Sequence, residues 1–295
     1  MVFLVATVLL WGTSYAVMKI AYADLAPMQV VWLRMVVAAL AFLPLLRVVK
    51  KPRYQRGDVK FLVATVAFIP CLYYTCEGYA LTFTTSSQAG VVSAVMPLIV
   101  ALAAWVVLRE RTTVRIVVAI LVSLAGVVVL SVSGAAQTSA PNPVLGNLLE
   151  LAAMVAAAGS TLAVKKLSAR YDPLLLTGMQ MATGAVFFAP LALGSGPIHW
   201  SVVPVTGWLA IAYLGLGCGL AAFGLYNSAL RLLPVSKAAL SINAVPVVAL
   251  VTGWLVLGEA MSLTQVVACV VIVSAVVSTQ IPVRRDESTT LTSNL

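Results

Sequence analysis

Residues 113–133 read TVRIVVAILVSLAGVVVLSVS, with Arg115 as the only charge in the run. A bilayer's hydrocarbon core is about 30 Å thick, and a helix needs roughly 20 apolar residues to cross it. This run meets that length. It also lacks the strict alternation of a barrel strand, whose residues face lipid and lumen in turn. Outward from this stretch, comparable runs follow one another between charged, Pro-rich and Gly-rich breaks. They predict helices over 2–22, 28–49, 59–81, 86–108, 113–133, 144–167, 173–193, 204–230, 236–257 and 263–282. The sequence is 62% hydrophobic and 9% charged, against about 25% charged in soluble domains. The expected class is therefore an all-α integral membrane protein of ten transmembrane helices.

The net charge of +9 does not point to nucleic acid, because the basic residues sit in short loops between apolar runs and not on one soluble face. Arg47, Lys50, Lys51, Arg53, Arg56, Lys60, Arg109, Arg111, Arg115, Lys165, Lys166, Arg170, Arg231, Lys237, Arg284 and Arg285 fall on the side of the two termini. The opposite loops, around Asp24, Thr84, Ser139, His199 and Glu259, hold no lysine or arginine. Lys19 and Arg34 lie within helices. The positive-inside rule then predicts cytoplasmic termini, in a multi-pass protein of the cell inner (plasma) membrane. The first run starts at Val2 without a basic leader or a small-residue cleavage site, and reads as a retained helix. Cys71, Cys76, Cys218 and Cys269 lie inside apolar runs, as small packing residues, with no zinc spacing.

The chain matches itself. At an offset of 146, Ser14, Lys19, Pro27, Met35, Phe42 and Pro44 meet Ser160, Lys165, Pro173, Met181, Phe188 and Pro190. At an offset of 149, Ala80-Leu81, Ser87, Pro97, Trp105, Leu108 and Glu110 meet Ala229-Leu230, Ser236, Pro246, Trp254, Leu257 and Glu259. Two related halves of five helices each must enter the membrane in opposite senses, so the repeats are expected to be inverted. The predicted division is a first five-helix repeat over 1–134, an external linker over 135–143, a second repeat over 144–282 and a disordered cytoplasmic tail over 283–295. Inverted repeats that exchange conformations are the usual basis of alternating access.

Leu10-Trp11-Gly12-Thr13-Ser14 is followed by Lys19, and Trp32-Leu33-Arg34 by Ala38. Tyr79-Ala80-Leu81 runs to Met96-Pro97-Leu98, and Leu108-Arg109-Glu110-Arg111 and Leu257-Gly258-Glu259 follow further along. Together these segments, over nearly the whole chain, resemble the drug/metabolite transporter superfamily, specifically its ten-helix EamA-type exporters of aromatic amino acids and drugs. Ala119, Ala268 and Ala275 stand where the family often has Gly. The resemblance implies export of amino acids, related metabolites or drug-like compounds, without fixing the substrate.

Ionisable side chains within apolar helices cost about 2.5–3.5 kcal/mol each at the membrane centre, so Lys19, Arg34, Glu77 and Glu150 are functional candidates. The topology assigns all four to the outer leaflet half. There they either lock helices as ion pairs or serve an outer gate and meet the substrate's charges. Glu150, Met154, Ala157, Ala158, Thr161 and Lys165 share one helical face, and Trp11, Tyr15, Met18, Lys19 and Tyr22 line the corresponding one. Pro97 and Pro246 read as paired mid-helix kinks at a cavity, with Asn243 one turn before the second. The expected substrate-binding set is Trp11, Tyr15, Lys19, Tyr74, Glu77, Pro97, Glu150, Met154, Tyr226, Asn243 and Pro246.

The partners implied are a small-molecule substrate and the lipid bilayer, with the chain as monomer or homodimer and no nucleic acid. No cofactor is implied. His199, in an external loop, is the single histidine, and there is no HExxH or nucleophile elbow, so enzymatic chemistry is not expected. A channel or a sensor without enzymatic activity is the alternative class; a channel is generally built by repeating a pore and a sensor by adding a soluble output domain.

Overall fold

The computed structural model describes residues 2–108, 114–133, 140–233, 235, 238, 242 and 244–278. Glu110 with Arg109 and Arg111, Ser139, Ser236, Lys237, Asn243 and the tail beyond Pro282 lie outside the described residues. Among the described residues the regular elements are helices, with no strand. Eight spans are long and apolar enough to cross a membrane, and two shorter apolar helices, Val245–Leu257 and Leu263–Ser278, follow them.

The helices in chain order are α1 (Val2–Ala21), α2 (Pro27–Phe42), α3 (Asp58–Val66), α4 (Tyr73–Phe83), α5 (Ser86–Val92), α6 (Met96–Leu108) and α7 (Val114–Val132). Then come α8 (Pro143–Leu167), α9 (Pro173–Gly194), α10 (Val205–Ala212), α11 (Phe223–Leu232), α12 (Val245–Leu257) and α13 (Leu263–Ser278). Local chemistry sets several starts. Pro27, Pro143 and Pro173 open α2, α8 and α9, where the missing N–H costs nothing. Asn142 accepts from Leu145 N at 3.1 Å and Asp172 from Leu174 N at 3.0 Å, capping two of these starts.

Three predicted helices differ from the expectation. The one over 59–81 is split into α3 and α4 by a π-helical stretch, Ala67–Leu72, in which Ile69 leaves helical geometry just before Pro70. Proline cannot donate to the i−4 carbonyl and its ring crowds that turn, so the helix yields there. The predicted 204–230 helix carries a π-helical stretch at Tyr213–Ala222, between α10 and α11. The predicted 86–108 helix is interrupted by the 3₁₀ turn Ser93–Val95 between α5 and α6, while the start of the predicted 236–257 helix falls largely outside the described residues.

Packing pairs elements from the two ends of the chain. α2 lies on α9, α7 on α13, and α12 on both α1 and α5, while α8 takes α3, α4 and α6. The stretch 213–222 lies on α1 and α2. At the basic end of the bundle, Arg53 N donates to Arg170 O at 3.1 Å, Arg170 pairs with the buried Asp58, and Lys165 Nζ donates to the C-terminal carbonyls Leu230 O and Leu233 O, each at 2.7 Å. At the opposite end, Asn142 N reaches Phe83 O at 3.1 Å and Gln29 Nε2 reaches Gly196 O at 2.9 Å. Large apolar side chains such as Leu121, Val128 and Trp254 face outward, as a lipid solvent allows.

Candidate functional site

Charged, phenolic and aromatic side chains from several helices meet around an interior cavity with room for water of about 60 Å³. Its wall is drawn from α1, α2, α4, α6, α8 and α11, from the Ala67–Leu72 break, from the 3₁₀ turn Ser93–Val95, and from Ile242 and Val245 at the approach to α12. α7 and α13 contribute nothing to it. Where helices break, the backbone departs from the regular cylinder and leaves room. Ile69, Ser93 and Val245 enter the wall at such places.

One side is aromatic. The Trp11 ring lies 4.9 Å from Phe223 and 5.1 Å from Tyr226, centroid to centroid, and its indole N–H points to Cys218 O at 3.4 Å. Met96 and Met154 add thioethers, which adapt to varied shapes. The other side is charged. Arg34 stands 4.6 Å above the Tyr74 ring, its Nη1 3.3 Å from Met18 Sδ and its Nη2 3.4 Å from Tyr74 OH. Glu77 Oε1 accepts a hydrogen bond from Tyr73 OH, and Glu77 Oε2 lies 3.8 Å from Arg34 Nη1. The two charged side chains are only 3% and 4% exposed.

Residues 1–132 and 144–279 match the profile described as the EamA-like transporter family. The chain belongs to that family. Family membership makes it a multi-pass membrane protein whose relatives are transporters, and membrane transport of a small molecule is the activity class that goes with it. It is 26% identical over 274 residues, 91% of this chain and 83% of the other, to "Uncharacterized transporter YetK" of Bacillus subtilis. It is 28% identical over 263 residues, 87% of this chain and 84% of the other, to a "Probable terminal-alkyne amino-acid exporter" of Streptantibioticus cattleyicolor. A solved structure titled only "Crystal structure of protein" shares the fold, with a TM-score of 0.68, 24% identity and coverage of 94% of this chain and 95% of the other.

Within this family frame, Trp11, Tyr15, Tyr74, Glu77, Met154 and Tyr226 of the expected set line the cavity together. Four others do not. Lys19 lies one helical turn beyond Tyr15 and is not among the residues of the wall. Glu150 sits behind Tyr15, whose hydroxyl donates to Glu150 Oε1 at 3.1 Å, so the phenol screens the carboxyl from the cavity. Pro97 and Pro246 are buried second residues of α6 and α12, not mid-helix kinks in unbroken α-helix. Their predecessors Met96 and Val245 line the cavity in their place, so the prolines bear on the wall through the backbone. Asn243 lies outside the described residues.

The sequence-based set omitted Arg34, Tyr73, Ile69 and Phe223. Pro70 was an available signal for Ile69, since a proline inside a membrane helix marks a place where backbone and cavity meet. Phe223 carries no such signal, being one apolar residue among many.

Proposed function

We propose that the chain is an alternating-access exporter of amino acids and related small metabolites, with drug-like compounds within its range, acting in the cell inner membrane. The observation that carries this is the cavity in which one cation, one carboxylate and an aromatic wall meet among helices from both halves of the sequence. Such a cavity offers a site for a small solute bearing both charge and apolar surface. The amino-acid exporter among the relatives agrees with it.

Ten spans in two inverted repeats, 1–134 and 144–282, joined by the external linker 135–143, belong to the same proposal. The packing supports it: exchanging each predicted helix for the one five places on turns the contact of α1 with α12 into that of α8 with the α5–α6 span. The same exchange turns the α3–α4 span on α8 into the 205–232 span on α1. The contacts of α2 with α9, α5 with α12 and α7 with α13 return to themselves. The joining of the basic loops at Arg53 and Arg170 supports a common cytoplasmic end. A homodimer, if formed, would use α7 and α13, the spans absent from the cavity wall.

Two experiments test the proposal. Proteoliposomes loaded with a panel of unlabelled amino acids should take up the matching labelled amino acid by counterflow, with saturation, and parallel runs with and without a pH gradient report coupling. Flux without saturation would favour a channel, and no exchange of any amino acid would overturn the substrate class. In a variant without its four cysteines, a cysteine at Ser139 should react with an impermeant maleimide outside intact cells, and one at Tyr54 should not. The reverse pattern would invert the orientation.

A further inference from the structure

The buried ion pair in the cavity wall is unusually incomplete. A guanidinium has five donors in a planar fork, suited to gripping a carboxylate through two parallel hydrogen bonds. Arg34 makes no such grip. Among the described residues its Nε has no partner, its other nitrogens reach only a thioether at 3.3 Å and a phenol at 3.4 Å, and Glu77 stands 3.8 Å away, outside hydrogen-bond distance. The Tyr74 ring lies beneath the guanidinium, 4.6 Å from Cζ to its centroid, and its hydroxyl takes only the one long contact from Nη2 at 3.4 Å. On the opposing side, Tyr73 occupies one oxygen of Glu77, and the other has only the distant Arg34.

We infer that the Arg34–Glu77 pair is the reading head for an α-amino acid zwitterion, which enters between the two residues and places its carboxylate on Arg34 and its ammonium on the Glu77 Oε2 oxygen. This inference rests on the exporter reading above and adds the residues that select within it. A zwitterion completes both buried charges at once. A simple amine would satisfy Glu77 and leave Arg34 without its counter-charge, and a simple carboxylate would do the reverse; leaving one member of a buried pair uncompensated is the strongly unfavourable case. The side chain then lies toward Trp11, Phe223 and Tyr226, which favours a large apolar group.

The test is counterflow of labelled L-phenylalanine into proteoliposomes, with unlabelled L-phenylalanine, 2-phenylethylamine and 3-phenylpropionate as competitors. The three share one apolar body and differ in charge. Both analogues should compete at least tenfold more weakly than the amino acid. Arg34→Gln should abolish the advantage of phenylalanine over the amine, and Glu77→Gln its advantage over the acid. These are ratios within one preparation and do not depend on how much protein folds. Should either single variant fail to fold, the double variant Arg34→Gln/Glu77→Gln leaves no charge unpaired, and its competition by all three compounds should converge within about threefold. Equal competition by the three compounds in the native protein would overturn the inference, as would ratios unchanged in the variants. Exchange of other amino acids without phenylalanine would overturn it too while leaving the exporter reading standing. No exchange of any amino acid would remove both.

Discussion

Replacing Gly146 by leucine is expected to abolish most of the folded protein, because the N-terminal end of α8 has no space for a side chain. A Cβ at Gly146 would lie 2.6 Å from Thr84 Cβ, 2.8 Å from Thr84 N and 2.9 Å from Ala80 O. The last two atoms are backbone. They are also bonded to each other, Thr84 N to Ala80 O at 3.0 Å, in the closing turn of α4, so they cannot swing away as a flexible side chain would. Overpacking a tight contact costs about 1–3 kcal/mol and sometimes more. A full leucine against fixed backbone belongs at or above the top of that range.

The consequence spreads beyond the contact. Asn147, the next residue, is fully buried and donates to Gln88 Oε1 at 3.0 Å and to Ser131 Oγ at 2.9 Å, while Thr84 Oγ1 reaches its carbonyl at 2.8 Å. Pushing α8 off α4 breaks this network among buried side chains, where each unmet polar group costs about 1–3 kcal/mol. Size-exclusion yield and thermal melting in detergent measure the effect. Gly146→Leu should lose at least fivefold in monodisperse yield, whereas Gly194→Leu, at a glycine whose Cβ would meet nothing within 4 Å, should match the parent. Equal yields for both variants would mean that α8 and α4 do not approach so closely.

The helices were legible in the sequence because membrane spans advertise themselves by length and apolarity, and nothing else in water or lipid needs such runs. The breaks within them were harder to see. Pro70 lies in a run that reads as one span, and only the packed bundle reveals that the chain gives way at Ile69. The charged corner of the cavity was half legible: Arg34 and Glu77 stand out in apolar surroundings for the same reason that Lys19 and Glu150 do. Apolar context alone does not resolve which of four such residues share one space. That depends on azimuth and depth, and a single turn separates Tyr15 on the wall from Lys19 beyond it. Likewise Glu150 points inward yet is covered by a phenol contributed from 135 residues away. Aromatic residues such as Phe223 become site residues only through their neighbours, here Trp11 at 4.9 Å.

Glu259→Ala is expected to loosen the seam between α5 and α12 at the end opposite the basic loops. α12 ends at Gly258, whose φ of 64° lies in the left-handed region that glycine adopts without strain, and this turn leaves Glu259 next to the start of α5. The carboxylate accepts from Ser86 N at 2.8 Å, Ser87 N at 2.9 Å and Ser87 Oγ at 2.6 Å. An anion over the first N–H groups of a helix is favourable both as acceptor and by the helix dipole. Just inside this clamp, Gly90 of α5 packs directly on Ala249 of α12, so the two helices close as one seam. Removing the carboxylate leaves three donors without their acceptor as long as the seam is shut, and water replaces it most fully when the seam parts. The penalty of about 1–3 kcal/mol per donor therefore falls on the closed arrangement. Even a total of about 3 kcal/mol shifts the balance on the order of a hundredfold toward opening. A cysteine at Ser93, on the cavity wall, in a variant lacking Cys71, Cys76, Cys218 and Cys269, reads this directly. Its labelling by an impermeant maleimide from outside intact cells should be at least tenfold faster with Glu259→Ala than without, and Glu259→Gln, which keeps one acceptor oxygen, should fall between. An unchanged labelling rate accompanied by a lower melting temperature would make the clamp a staple of the fold and deny it any part in gating.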